Sequence, residues 1–196
     1  SGALVKGEER VQRVCYIARK SLAAKKYARL LARLVNWLGQ SEEGLNIVEL
    51  GTSLGITTAY MAAMDSRNHV VTYEGCPAVA EVARETWEYV GLRNIQCKDG
   101  EIDAQHLACE LDVVDVAFLD ANHTYAGTCE YFNVLADKAR SKSIFVIDDI
   151  HYSRDMEKAW NEICADDRVA STIDLYQMGI VFFDKHYWKR HYKMNI

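Results

Sequence analysis

The chain has 196 residues, 49% of them hydrophobic and 26% charged, which is enough apolar mass for one globular core without disulfide or metal staples. Its 23 basic and 28 acidic residues leave a net charge of −5. That balance builds in no general attraction to a phosphate backbone or an anionic membrane surface, and no apolar run is long enough to span a bilayer. Nucleic acid is therefore an unsupported partner, not an excluded one. Six cysteines (Cys15, Cys76, Cys97, Cys109, Cys129 and Cys164) are scattered singly without a C-x-x-C pair. They read as reduced core residues of a cytoplasmic protein instead of disulfides or zinc ligands. No signal peptide is legible, and the Ser1-Gly2 start reads as a tag remnant or a trimmed end.

With a single proline and no repeat, nothing marks a domain boundary, so residues 1–196 are expected to form one unit: an N-terminal helical segment, 1–45, and a core, 46–196. Tyr27, Leu30, Leu31, Leu34, Val35 and Leu38 recur at helical spacing up to a capping Gly39. Ile47 to Leu50 is the first strand, and Ile56 to Met64 the helix leaving its glycine turn. His69 to Glu74 makes the second strand, and Pro77 opens a helix that runs to Gly91. The rhythm continues with a short strand at Asn94–Lys98, a helix at Ile102–Leu111, an apolar strand at Val113–Leu119, a helix at Tyr125–Ala139 and a strand at Ser143–Asp148. Ser153 then caps a helix with Met156, Ala159, Trp160, Ile163 and Cys164 on one face. Ser171–Tyr176 and Ile180–Asp184 are separated only by Gln177-Met178-Gly179, too short for a crossover helix, so they must pair antiparallel. The expected fold is α/β and Rossmann-like: a doubly wound, mostly parallel sheet with a C-terminal antiparallel hairpin and helices on both faces. The basic, aromatic segment Lys185–Lys193 is expected to cover a sheet edge.

Chemistry-bearing residues gather where strands end. Glu49-x-Gly51-x-x-x-Gly55 follows an apolar strand, and Glu74 closes the next one, 19 residues after Gly55. Glycines there let the backbone turn sharply near a ligand, while a carboxylate at the second strand end can accept from both ribose hydroxyls. The dinucleotide pattern G-x-G-x-x-G is not met, since Ser53 and Ile56 stand at its second and third glycines. A nucleoside cofactor is thus favoured over one bearing a pyrophosphate. The plainer alternative is a glycine turn that only packs a helix on the sheet.

Asp120 closes the fourth strand, and Asp148 with Asp149 closes the fifth. Strands four and five lie near strand one in such a sheet, so three carboxylates converge there. They would repel one another, and a hard divalent cation, Mg²⁺ by its oxygen donors, is the simplest neutralising partner. The alternative is that one of them caps a helix or meets a Lys or Arg. His123, three residues after Asp120, can take a proton from a substrate hydroxyl near neutral pH; a fourth metal ligand or a loop histidine bonded to backbone is an equal reading. His151 is a weaker candidate, and His69, His106, His186 and His191 read as solvated surface residues.

Taken in order, Glu49-Leu50-Gly51-Thr52-Ser53-Leu54-Gly55, Tyr73-Glu74, Phe118-Leu119-Asp120 and Val146-Ile147-Asp148-Asp149 resemble a class I S-adenosylmethionine-dependent methyltransferase. Within that group the chain is similar to metal-dependent O-methyltransferases of the catechol type and to their sugar- and natural-product-modifying relatives, in which a D-x-x-H-x-Y stretch, here Asp120 to Tyr125, follows strand four. The resemblance runs from about Asn46 to the C-terminus and implies a seven-stranded sheet. It implies that Glu49, Gly51, Thr52, Ser53 and Gly55 line the methionine and ribose part of the cofactor. Glu74 would hold the ribose, Gly100 and Glu101 would flank the adenine, and Asp120, Asp148 and Asp149 would bind the metal. Asp149 departs from the Asn usual in catechol-type enzymes, and the general-base lysine of those enzymes falls on His123, as in the sugar-modifying relatives. Together with a missing insertion at the substrate mouth, this points away from catechol.

The function so implied is metal-assisted O-methylation of a small-molecule hydroxyl, with Asp120 and His123 in catalysis. A nicotinamide-dependent oxidoreductase would share the sheet and the Glu74 clamp, and a tRNA or other RNA O-methyltransferase remains a substrate variant. Oligomeric state stays open, a homodimer included.

Overall fold

The computed structural model describes residues 25–39, 43–186 and 188–195. Of the N-terminal helical segment, α1 (Lys25–Leu38) is described, and the expectation for residues before it lies outside the described residues. Tyr27, Ala28, Leu31, Ala32 and Val35 form its buried stripe, spaced three and four apart as a one-sided helix requires. Gly39 donates its N–H to the Val35 carbonyl and closes the helix where its sequence position suggests.

Alternation of helix and strand then builds the core: β1 (Asn46–Leu50), α2 (Ile56–Ala62), β2 (His69–Glu74), α3 (Pro77–Tyr89), β3 (Ile95–Asp99), α4 (Ala104–Glu110), β4 (Val114–Leu119), α5 (Tyr125–Ala136), β5 (Ala139–Asp148) and α6 (Arg154–Ala165). β6 (Ser171–Asp174), β7 (Met178–Phe182) and β8 (Arg190–Lys193) complete it. The strand order is β3-β2-β1-β4-β5-β7-β6-β8. The first five strands are parallel, β7 runs antiparallel to both β5 and β6, and β8 is parallel to β6. β1 and β4 are buried along nearly their whole length because helices cover both faces, which is why they read as continuous apolar runs. On one face Val48, Leu50 and Val71 pack with Phe132, Phe145 and Trp160; on the other Ile47, Val70 and Phe118 pack with Tyr27, Leu31 and Val35.

The sheet has eight strands, not seven. The extra one, β8, pairs with β6, which would otherwise be the sheet's edge, so the tail covers an edge as expected while also adding a strand. All four of its residues are exposed, so no in–out alternation announces it. The hairpin turn is displaced as well: Met178 and Gly179 lie inside β7, and the reversal is at Leu175–Gln177. Gly179 serves packing there, since a Cβ on it would lie 2.4 Å from the Trp160 ring. β5 begins at Ala139, ahead of the expected Ser143, because its pairing with β4 shifts register between Val114 and Val116. Ser143 stitches that irregularity, accepting from Arg140 N–H at 2.7 Å and donating to the Val114 carbonyl at 2.6 Å.

Successive connections leave β1 on opposite sides, toward β2 and, after β3, toward β4. The C-terminal ends of β1 and β4 therefore flank a topological switch point, the crevice where open α/β sheets take ligands.

Candidate active site

The turn after β1 is shaped by protein neighbours. Gly51 has φ 100°, and a Cβ there would stand 2.2 Å from the Asp120 carbonyl oxygen. Its N–H and that of Thr52 both reach the Tyr73 carbonyl, at 2.9 and 3.1 Å. Gly55 has φ 72°, and a Cβ there would meet the Trp87 ring at 2.6 Å, while Trp87 Nε1 donates to the Gly55 carbonyl at 2.7 Å. Both glycines are thus required by close packing and by left-handed backbone, which the packing alternative foresaw.

Below this turn Glu49 is fully buried. Its Oε2 accepts from Thr58 and, at 2.7 Å, from Thr72, whose hydroxyl also contacts Thr52 Oγ1 at 2.6 Å. Among the described residues, Glu49 Oε1 has no hydrogen-bond partner. Burial pushes this carboxyl up to about 8 against the lowering effect of the two threonines, with the charges of Asp120 and Glu74 adding to the rise. Glu49 accordingly sits in a buried polar network under the turn, although the resemblance implies that it lines the cofactor.

Glu74 is held at the end of β2 by two backbone donors: Ser53 N–H to Oε2 at 2.8 Å and Cys76 N–H to Oε1 at 3.0 Å. Each oxygen keeps a lone pair for a further donor. Gly100, φ 118°, donates its N–H to the Glu74 carbonyl at 2.9 Å, and among the described residues no atom lies within 4 Å of where its Cβ would be. Glu101, the next residue, is exposed.

Across the switch point four side chains meet. Asp120 follows β4, its N–H bonded to the Leu50 carbonyl at 2.8 Å; Asp148 ends β5; Asp149 follows it with φ 54°. His123 Nε2 lies 3.4 Å from Asp120 Oδ1 and 3.6 Å from Asp149 Oδ2, with the ring only 11% exposed. Burial and the charge of Asp149 raise the Asp120 carboxyl despite its bond to His123. Burial, then the charges of Asp120 and Asp149, push Asp148 up to about 8, and its Oδ1 is buried with no hydrogen-bond partner among the described residues. The Asp120 hydrogen bond holds His123 above its ordinary 6.5, against the effect of burial. In donor chemistry this set suits a divalent cation: three carboxylates and an orphaned buried oxygen. In arrangement it does not, because among the described residues no three His, Cys, Asp or Glu side chains form a group that could hold one, and His123 reaches two of the carboxylates itself.

Several neighbours were not legible in sequence. Tyr152, exposed, has its ring 6.0 Å from that of His123, and its N–H donates to the Asp149 carbonyl at 2.9 Å. Gln177 donates to Asp149 Oδ1 at 2.9 Å. His151 turns away from the carboxylate set toward Asp174, at 2.9 Å, and Glu157, at 3.3 Å, with Tyr176 stacked on its ring. His69, His106, His186 and His191 are exposed as expected, although His191 Nδ1 also meets Thr172 at 2.8 Å. Cys129 is a core residue, whereas Cys109 is exposed and Cys76, Cys97 and Cys164 are half-buried; all five are free. Among the described residues, the non-glycine positions with positive φ are Ser53, Asn122, Asp149 and Tyr176. All belong to turns at this one edge, where strained backbone commonly marks a functional site.

A family model for a methyltransferase domain matches residues 48–150, more than half of the chain. A 58-residue stretch is 38% identical to a protein-L-isoaspartate O-methyltransferase of Magnetococcus marinus, covering 30% of this chain and 25% of that protein, so the match spans a quarter of that relative's length. In structure the chain is similar to the O-methyltransferase of Bacillus cereus solved in complex with SAH, with TM-score 0.72, 20% identity, and coverage of 86% of this chain and 90% of that one. It is also similar to the O-methyltransferase TomG of Streptomyces achromogenes, involved in tomaymycin synthesis and solved with SAM, with TM-score 0.72, 19% identity and 92% of both chains covered. At these identities the likeness is one of fold.

Proposed function

The chain belongs to the methyltransferase-domain family, and we propose that it is an S-adenosylmethionine-dependent O-methyltransferase acting on the hydroxyl of a small molecule, with residues 1–196 working as one unit. The observation that carries the reading is the pairing of two half-sites across one switch point. Glu74, fixed by the N–H groups of Ser53 and Cys76, stands on the β2 side, and His123, between Asp120 and Asp149, on the β4 side.

Glu74 accepts from the ribose hydroxyls, while Thr52, Ser53, Gly100 and Glu101 border the nucleoside. The acceptor oxygen attacks the methyl carbon in line with the sulfur; a C–O bond forms, the C–S bond breaks, and the sulfonium becomes a neutral thioether. The acceptor proton passes to the His123 imidazole, and Asp120 and Asp149 stabilise the imidazolium that results. Holding two reactants in line converts a bimolecular encounter into an effectively unimolecular step.

A divalent cation belongs to the same reading as a secondary element. Asp120, Asp148 and Asp149 are the residues that would hold it, and it would neutralise their charge and lower the acceptor's pKa. The residues fit it in chemistry only, so no step depends on it.

The test is a panel of hydroxyl acceptors with methyl-labelled cofactor. The wild type should transfer label, and His123→Ala should lose about 10²- to 10⁴-fold in rate, the usual worth of a positioned base, while still binding S-adenosylhomocysteine. Undiminished transfer by His123→Ala would remove the histidine from the mechanism.

A further inference from the structure

Two exposed tyrosines rise from different loops at the acceptor side of the site, and neither the core nor the steps above require them. Tyr152, 66% exposed, follows Asp149 and sets its ring 6.0 Å from His123 at 55°. Tyr176, 73% exposed, sits in the β6–β7 turn with its ring 5.3 Å from His151 and nearly parallel to it, at 25°.

The turn that carries Tyr176 is built to hold it. Its φ is 69°, a conformation that glycine or asparagine adopts readily and a bulky aromatic does not. Asp174 fixes it there, accepting Tyr176 N–H at Oδ1 (2.8 Å) and His151 at Oδ2 (2.9 Å). The next residue, Gln177, ties the same turn to Asp149 Oδ1 at 2.9 Å. A strained backbone, a buried carboxylate and a stacked histidine hold the Tyr176 ring in solvent, and the neighbouring Gln177 ties its turn to Asp149, one of the two carboxylates at His123. Strain maintained in this way at a site edge is a sign of selection for what the residue presents.

From this geometry we infer that Tyr152 and Tyr176 are specificity-determining walls of the acceptor site, which stack on the ring of a ring-bearing hydroxyl acceptor that carries no anionic group. The inference rests on the methyl-transfer reading and adds the substrate's shape and charge. A flat face against an aromatic side chain is favoured by dispersion and by the ring quadrupole. The class excludes anions because a carboxylate or phosphate on the acceptor would meet Asp149 and Asp120, the carboxylates that flank His123. Both aromatic rings and the apolar faces of sugar rings present this chemistry, and the acceptors tested must tell them apart.

The experiment uses the full chain with methyl-labelled cofactor and three acceptors: a simple phenol, a neutral methyl pyranoside and an acyclic alcohol. S-adenosylhomocysteine affinity is measured alongside. At least one ring acceptor should be methylated in preference to the acyclic alcohol. Tyr152→Ala and Tyr176→Ala should each raise its KM about five- to tenfold, the worth of one aromatic contact. That rise should exceed any change in kcat, and S-adenosylhomocysteine affinity should stay within about twofold. Tyr176→Phe, which retains the ring, should recover most of the loss. Tyr176→Gly removes the ring while relaxing the backbone, so a raised KM in a variant with an undiminished thermal midpoint separates the lost wall from misfolding. An unchanged KM in both alanine variants, or preference for the acyclic alcohol, with S-adenosylhomocysteine bound normally, overturns the walls and leaves the methyl-transfer reading standing. Failure of the wild type to bind S-adenosylhomocysteine overturns both.

Discussion

Replacing Glu49 by Gln tests whether the carboxyl under the cofactor turn is held uncharged. Burial raises it from 4.5 to about 8 in the folded protein. An acid whose folded pKa is raised keeps its proton in the native state while the unfolded chain has lost it. Stability is therefore full below about pH 4.5, falls as pH rises, and levels off above about 8. At about 1.4 kcal/mol per pH unit the whole window is worth about 5 kcal/mol, and the part between pH 5 and pH 8 about 3.5 kcal/mol. Glutamine keeps an oxygen for Thr58 and Thr72 and carries no proton to lose. The assay is urea unfolding of wild type and Glu49→Gln at several pH values across this range. Asp148, also raised to about 8, contributes equally to both proteins and cancels in the difference. The variant should gain on the wild type as pH rises, by about 3.5 kcal/mol over those three pH units. Parallel profiles, differing by a constant amount, would refute the idea that Glu49 is neutral when the protein is folded.

Other outcomes follow from the same contacts. Since Asp120 holds His123 above 6.5, the rising limb of the pH–rate profile, where the base loses its proton, should lie above pH 6.5, and Asp120→Asn should move it toward acid; an unmoved limb would separate the two residues. Gly55→Ala forces a Cβ against Trp87 at φ 72° and should cost about 2–3 kcal/mol in denaturant unfolding, so a loss below about 0.5 kcal/mol would show that the indole can give way. If Asp148 Oδ1 is a cation donor, Mg²⁺ should raise the thermal midpoint of the wild type and not that of Asp148→Asn; no rise in either would withdraw the cation.

Local pattern carried the parallel half of this fold well. β1, β2 and β4 are buried on both faces, so unbroken apolar runs mark them, and Ser153 caps α6 by accepting from Met156 N–H as its position suggests. β8 escaped because its four residues are exposed and it exists only through main-chain pairing with β6. The glycine turn shows how a residue type can answer a demand that lies outside its own segment. Gly51 and Gly55 stand in the turn after β1, and what demands glycine there is the Asp120 carbonyl and the Trp87 ring, both contributed from afar. Strand ends likewise located Asp120, Asp148 and Asp149, whereas the ring of His123 between two of them is a matter of side-chain direction after a turn at Asn122, φ 50°. Tyr152 and Tyr176 had no local signature, because an exposed tyrosine in a turn is ordinary until its backbone angle and its neighbours are known.

If the edge between β1 and β2 takes S-adenosylmethionine with Glu74 as its ribose clamp, loss of that carboxylate weakens binding of the cofactor. An equilibrium titration of wild type and Glu74→Ala with S-adenosylhomocysteine, and with NAD for contrast, tests it most directly. S-adenosylhomocysteine should bind the wild type saturably and Glu74→Ala markedly more weakly, and NAD should not bind. Binding of NAD alone, or S-adenosylhomocysteine affinity that is indifferent to Glu74, would contradict it.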